Sequence, residues 1–394
     1  MTPAFRFDEI PPDSEDGRSS WVHTALILTG RLGQLQPWLL LPAWIALAAI
    51  AALAWPGQRL LAGLLSCSLI VADWALLAAL PLTRRSWGPV TPPLLGLVFV
   101  HTTFMVLGGL VLDGALGLGA TALVNLAVTA IAAYATWIEP FRIEVTQEQL
   151  RVDGWNADGP LTLLHISDIH YERWSRREDA LLRWVDTLQP DLIVLTGDYL
   201  NLSSVYDPVA QEGARALLAK LSAPHGVYAV TGSPVVDRAD IVPAIFEGLP
   251  IRWLDDEATV LQDVGADQPP LWLIGVRTTY DEARDIAALS RLAAETPAHA
   301  LRILLYHTPD LAPEAAAEDI DVYLCGHTHG GQIRLPLFGA VATSSRYGKR
   351  YEQGRVQEGA MTLYISRGLG LEGLGAPRAR FLAPPEVILW RIGT

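Results

Sequence analysis

Cysteine is nearly absent, with only Cys67 and Cys325 in 394 residues, so neither a disulfide framework nor a cysteine-based zinc site can be built. Each lies in or beside an apolar run, and both read as small buried residues. Basic charge is also scarce. Against 42 Asp and Glu stand 29 Lys and Arg, a net charge of −13. That balance argues against nucleic acid as a partner. The chain opens without the basic start and short apolar core of a signal peptide. Instead residues 1–36 form an acidic N-terminal tail, Asp8-Glu9-Ile10-Pro11-Pro12-Asp13-Ser14-Glu15-Asp16, with too little apolar content to fold alone. Residues 21–35 are mildly apolar and suit an interfacial segment.

Apolar residues are in excess at 51%, with a mean hydropathy of +0.26, and the excess is local. Four runs are nearly free of charge: Pro37–Trp55, Leu60–Leu82, Thr91–Leu112 and Ala115–Ile138. Each is long enough to cross about 30 Å of hydrocarbon as a helix. Residues 37–138 therefore read as a four-helix transmembrane domain whose partner is the lipid bilayer. Arginines set the expected orientation. Arg31, Arg84, Arg85, Arg142 and Arg151 fall on one side of a four-span topology and Arg59 alone on the other. That places the C-terminal domain in the cytoplasm. Asp73, His101 and Asn125 are polar groups within the spans, where interhelical hydrogen bonding is the simplest role.

The pattern changes at Glu139-Pro140. Phe141–Val152 alternates like an edge strand. Short apolar strands then alternate with helical spacing, as in Leu161–Ser167, Arg176–Leu188 and Asp191–Thr196. Residues 139–394 thus read as an α/β domain. Its chemistry-bearing residues fall where strands end: Asp168-Ile169-His170, Gly197-Asp198, Tyr306-His307 and Gly326-His327-Thr328-His329. Loops beyond strand ends are where α/β sheets build sites. Mixed imidazole and carboxylate donors suit Mn, Fe or Zn.

In this order, the motifs Asp168-x-His170, Gly197-Asp198, His307 and Gly326-His327-x-His329-Gly-Gly-Gln332 resemble the calcineurin-like metallophosphoesterases, in their membrane-associated branch. Trp137-Ile138-Glu139-Pro140, Ser366-Arg367-Gly368-Leu369-Gly370 and Arg380-Phe381-Leu382-Ala383-Pro384-Pro385-Glu386 look like the same branch. The resemblance implies a four-layer α/β sandwich of two packed mixed sheets. It implies two divalent metal ions, Asp168, His170, Asp198 and His329 holding the first, and Asp198, His307 and His327 the second. A hydroxide held between the ions would attack phosphorus, so Asp198, His327 and His329 count as catalytic. Arg367 and Arg380 are candidates for the substrate phosphate or for structural ion pairs. The branch includes enzymes that hydrolyse UDP-diacylglucosamine. The expected substrate is accordingly a lipid-linked phosphodiester or pyrophosphate, met at a bilayer.

The pattern breaks at one place. The family carries Gly-Asn-His where this chain reads Gly232-Ser233-Pro234. The Asn would be a ligand of the second ion and the His would serve the phosphate or leaving group. Three readings follow: a weaker second site completed by water, with Ser233 in the Asn position; Asp237 as the substitute ligand; or a metal-binding pseudoenzyme acting as a membrane sensor or scaffold.

Overall fold

In the computed structural model, residues 28–153, 159–261 and 269–393 are described, so most of the acidic tail and of the turn before Pro160 lies outside them. The chain divides into two units. Among the described residues, one comprises 28–139 with Gly373–Ala379, the other Pro140–Glu372 with 380–393.

Among the described residues, the first unit is carried by four longer helices: α1 (Leu41–Leu53), α2 (Arg59–Ala78), α3 (Thr91–Val111) and α4 (Gly114–Trp137). The last three are long and apolar enough to cross a membrane. The first apolar run differs from expectation. Pro37 opens a 3-10 turn, Pro37–Leu40, and α1 keeps only 13 residues, about 20 Å at 1.5 Å per residue. Close helix approach uses small residues. A Cβ on Gly108 of α3 would collide with Thr121 of α4. Asp73, His101 and Asn125 meet in the interior, each from a different helix. His101 Nε2 lies 2.8 Å from Asp73 Oδ2, and His101 Nδ1 lies 2.7 Å from Asn125 Oδ1. Thr129 donates to Asp73 Oδ1 at 2.9 Å. Cys67 corrects the sequence reading: it is exposed on α2, whereas Cys325 is buried.

The second unit holds two six-stranded mixed sheets. The first orders β1 (Glu144–Leu150), β14 (Glu386–Ile392), β2 (Leu161–Ile166), β3 (Leu192–Leu195), β4 (Val227–Ala229) and β5 (Ile251–Trp253). The second orders β12 (Gly354–Glu358), β13 (Met361–Ile365), β9 (Val322–Cys325), β8 (Leu301–Leu305), β7 (Leu271–Gly275) and β6 (Glu257–Val260). Central strands run parallel; β14 is antiparallel to β2, and β12 and β6 close the second sheet antiparallel to their neighbours. Strand alternation builds two cores. Leu163, Val194, Leu273, Ile303, Leu324 and Trp390 fill the space between the sheets. Ile274, Leu304 and Tyr323 point the other way, onto α8 (Glu282–Glu295) and α9 (Ala312–Ala317). Central strands are covered on both faces, which is why they read as continuous apolar runs. Five strands escape the sequence pattern: β5, β6, β12 and the hairpin β10 (Arg334–Leu335) and β11 (Gly339–Ala340). They are short or half polar, and pairing rather than propensity makes them strands.

Candidate metal centre

Parallel strands of both sheets end on the same loops. Beyond β2 the chain turns through Asp168 and His170, beyond β3 through Asp198, beyond β8 at His307, and beyond β9 through His327 and His329. Backbone bonds lace these loops together: Asp168 N donates to Gly197 O, His170 N to Asp198 O and Gly326 N to His307 O. Asp168, His170, Asp198, His327 and His329 all have φ between 43° and 70°. Left-handed backbone at non-glycine residues costs about 1–3 kcal/mol each and gathers where function demands it.

Two clusters result. Asp168, His170 and His329 offer ligand atoms within 4.8 Å of one another, and so do Asp198, His307 and His327. Asp198 stands between them. Its Oδ2 is 3.5 Å from His170 Nε2 and 3.3 Å from His307 Nε2. Its Oδ1 is occupied elsewhere, accepting from Ser233 N at 2.7 Å. One oxygen is thereby turned to both clusters. Ser233 Oγ joins the second, 3.3 Å from Asp198 Oδ2, 3.2 Å from His307 Nε2 and 3.5 Å from His327 Nδ1.

The surroundings prepare these atoms for a cation. His307 Nδ1 donates to the Thr196 carbonyl at 2.7 Å, which orients the ring and turns Nε2 to Asp198. His170 Nε2 and His329 Nε2 are 3.0 Å apart. Two imidazole nitrogens that close repel unless a proton or a cation lies between them. Burial, then the neighbouring His307, lowers His327 to about 3. Burial, then His170 and Arg380, holds His329 well below its usual value. Both rings are neutral and able to donate electron pairs. Burial would also lower His307, but the Asp198 carboxylate outweighs it and raises His307 to about 10. A proton there does what a bound cation would do: it neutralises a buried carboxylate. The donor set therefore fits two divalent ions.

Asp237 is placed differently from the substitute-ligand reading. Its oxygens accept from Asp198 N at 2.7 Å, Gly232 N at 2.7 Å and Tyr199 N at 3.0 Å. The carboxylate sits behind the cluster and ties the β3 and β4 loops together. Gly232 has no room for a side chain, since a Cβ would collide with Asp198. The arginines are likewise engaged. Arg367 pairs with Glu386 at 2.7 Å and with Glu144 at 3.1 Å. Arg380 is fully buried; it donates to the carbonyls of Arg367, Gly370 and Ala383 and lies 3.3 Å from His329 Nδ1. Of the two roles left open by the sequence, these contacts are those of a structural ion pair for Arg367 and of carbonyl bracing for Arg380. Nothing local in sequence announces these partners: Glu144 lies 223 residues from Arg367. His165 is buried against Thr196 Oγ1 at 2.8 Å, apart from either cluster.

Residues 161–233 match the family described as calcineurin-like phosphoesterase. The chain is 30% identical over 276 residues to the metallophosphoesterase YkuE of Bacillus subtilis, covering 66% of this chain and 88% of that one. It is 28% identical to the phosphodiesterase YaeI of Escherichia coli, covering 65% and 90%. It is 26% identical to the UDP-2,3-diacylglucosamine pyrophosphatase LpxG of Chlamydia trachomatis, covering 66% and 92%.

Proposed function

This chain belongs to the calcineurin-like metallophosphoesterases, hydrolases of phosphoester bonds, and on that premise we propose that it is a membrane-anchored, metal-dependent hydrolase of a lipid-linked phosphodiester or pyrophosphate. The observation that carries the reading is Asp198 Oδ2, turned at once to His170 and to His307. Asp168, His170 and His329 would hold one divalent ion, His307, His327 and Ser233 Oγ the other, and Asp198 would serve both. Mn, Fe and Zn suit these donors. When bound, such ions supply Lewis acidity toward phosphoryl oxygens and lower the pKa of water.

The residues of the chain do the rest. Ser233 N holds Asp198 Oδ1, so Oδ2 cannot rotate away. Asp237 fixes the amides of Asp198 and Gly232, and acts as a positioning residue. Pro234 has no proton to give a leaving group. A general acid is typically worth about 10²–10⁴-fold, so turnover is slower than with an imidazole there, without being lost.

Anchoring rests on the apolar helices, three of which are long enough to span; the four-span topology takes the shorter Pro37–Leu53 segment as a further crossing. The arginine bias puts the phosphoesterase unit in the cytoplasm. The name of the chlamydial relative supports a diacylated nucleotide sugar as the substrate class. The test is hydrolysis of an aryl phosphodiester by the Mn-loaded full chain in detergent, beside His329→Ala. Metal-dependent turnover that the variant lacks is expected. Equal turnover in both overturns the assignment of the site, and none in the wild type with metal bound overturns the enzyme reading and leaves a metal-binding scaffold.

A further inference from the structure

Five residues after His329 the chain makes the small hairpin β10–β11, and its tip carries apolar side chains into open solvent. Leu335 is 48% exposed, Leu337 111%, Phe338 58% and Val341 52%, with Leu382 at 46% beside the Ile333–Phe381 bridge. Single exposed leucines are ordinary on a protein surface, but a contiguous group of them marks an interaction site. Leu337 also has φ 65°, a left-handed conformation in which the fold holds a leucine outward at a cost.

Most of the charge near the tip is balanced: Arg334 pairs with Glu352, Arg346 with Glu282 and Glu314, and Arg350 with Glu358. Lys349 is exposed; its Nζ lies 3.1 Å from the Phe338 ring centroid and donates to Phe338 O. An apolar tip with an ammonium group against its ring is the chemistry of a membrane interface: rings and leucines reach the acyl boundary while the ammonium stays at the phosphates. The apolar helices of the same chain keep this unit within reach of a bilayer.

We propose that the β10–β11 hairpin is a wedge that inserts into the interface of a phospholipid bilayer and seats the metal-site loop against it. The proposal rests on the membrane-anchored reading above and adds the surface through which a lipid-linked substrate is met. The wedge follows His329 directly, so its depth sets how the site faces the head groups.

The test uses the full chain in phosphatidylcholine–phosphatidylglycerol vesicles, on a Cys67→Ala background, with a nitroxide attached to the Leu337→Cys variant. Val209→Cys, at a residue 58% exposed on the same unit, is the control. The expected result is oxygen accessibility with at least about fivefold less contact with a water-soluble nickel chelate than the control. Equal contact with the chelate at both sites overturns the wedge. Exclusion of both reagents overturns it too, in favour of a protein contact. The Leu337→Asp/Phe338→Asp variant is expected to lose at least about tenfold of its turnover on a lipid-linked pyrophosphate in vesicles and to keep aryl phosphodiester turnover within about twofold. Equal losses on both substrates count against the wedge. A wild type that cleaves neither substrate fails the phosphoesterase reading alone, because label accessibility is read without turnover.

Discussion

Ser233 reaches Asp198, His307 and His327 through its Oγ, and substitutions there test the proposed second ion. Its Oγ stands 3.2 Å from His307 Nε2, in the place where the family puts an amide oxygen. A hydroxyl donates electrons to a cation less well than an amide does, so Ser233→Ala is expected to weaken the second ion by about tenfold, read by metal competition. Ser233→Asn with Pro234→His is expected to raise aryl phosphodiester turnover at least tenfold, within the range of general acid help. A fall would mean that the loop has a geometry of its own. His165 offers a pH test outside the clusters. Burial lowers it to about 3 from 6.5. Its folded pKa is depressed, so the unfolded chain binds the extra proton between these values and stability falls as pH falls through that window. In metal-saturated protein, His165→Gln should reduce the stability lost between pH 7.5 and 5.5 by about 1 kcal/mol, seen in thermal unfolding. An unchanged loss would show that His165 does not titrate there.

At the scale of elements, the helices of the first unit are joined by the Asp73–His101–Asn125 network, with Asp73 wholly buried. Removing one partner strands the other without water, at about 3–5 kcal/mol, while replacing both by apolar groups avoids that cost. His101→Leu is therefore expected to destabilise the bundle strongly, and Asp73→Leu/His101→Leu to recover much of the loss, measured by detergent unfolding. A double variant as unstable as the sum of the singles would deny the coupling. The elements themselves differ in how plainly the sequence shows them. Arg176–Leu188 is helical as its spacing predicts, started by the Ser175–Glu178 capping box. The Gly354–Glu358 strand is invisible until it pairs with Met361–Ile365, because its alternation is half polar and its stability lies in the partner.

For the whole molecule, the arginine bias makes a topological prediction. A reporter fused to Thr394 that works only outside the cytoplasm is expected to stay silent, and one that works only inside to report. The reverse pattern would turn the protein over and change which lipid leaflet can supply substrate. Alkaline carbonate should leave the chain in the membrane pellet, since three apolar helices do not leave a bilayer by loss of charge contacts.

The sequence by itself determined the division into an apolar helical part and an α/β part, because hydropathy and periodicity are local properties. It also determined the candidate ligands, because Asp-x-His, Gly-Asp and His-x-His are short motifs whose order survives in one dimension. Tertiary structure alone decided which atoms meet. Asp198 turns one oxygen toward both His170 and His307 while Ser233 N, 35 residues on, holds the other. Asp237 stands behind the site, Arg367 faces Glu386, and Arg380 braces the loop of His329, because the two sheets bring separate strand ends together. Each of these roles is a question of direction and distance between remote backbone segments, and residue spacing carries neither.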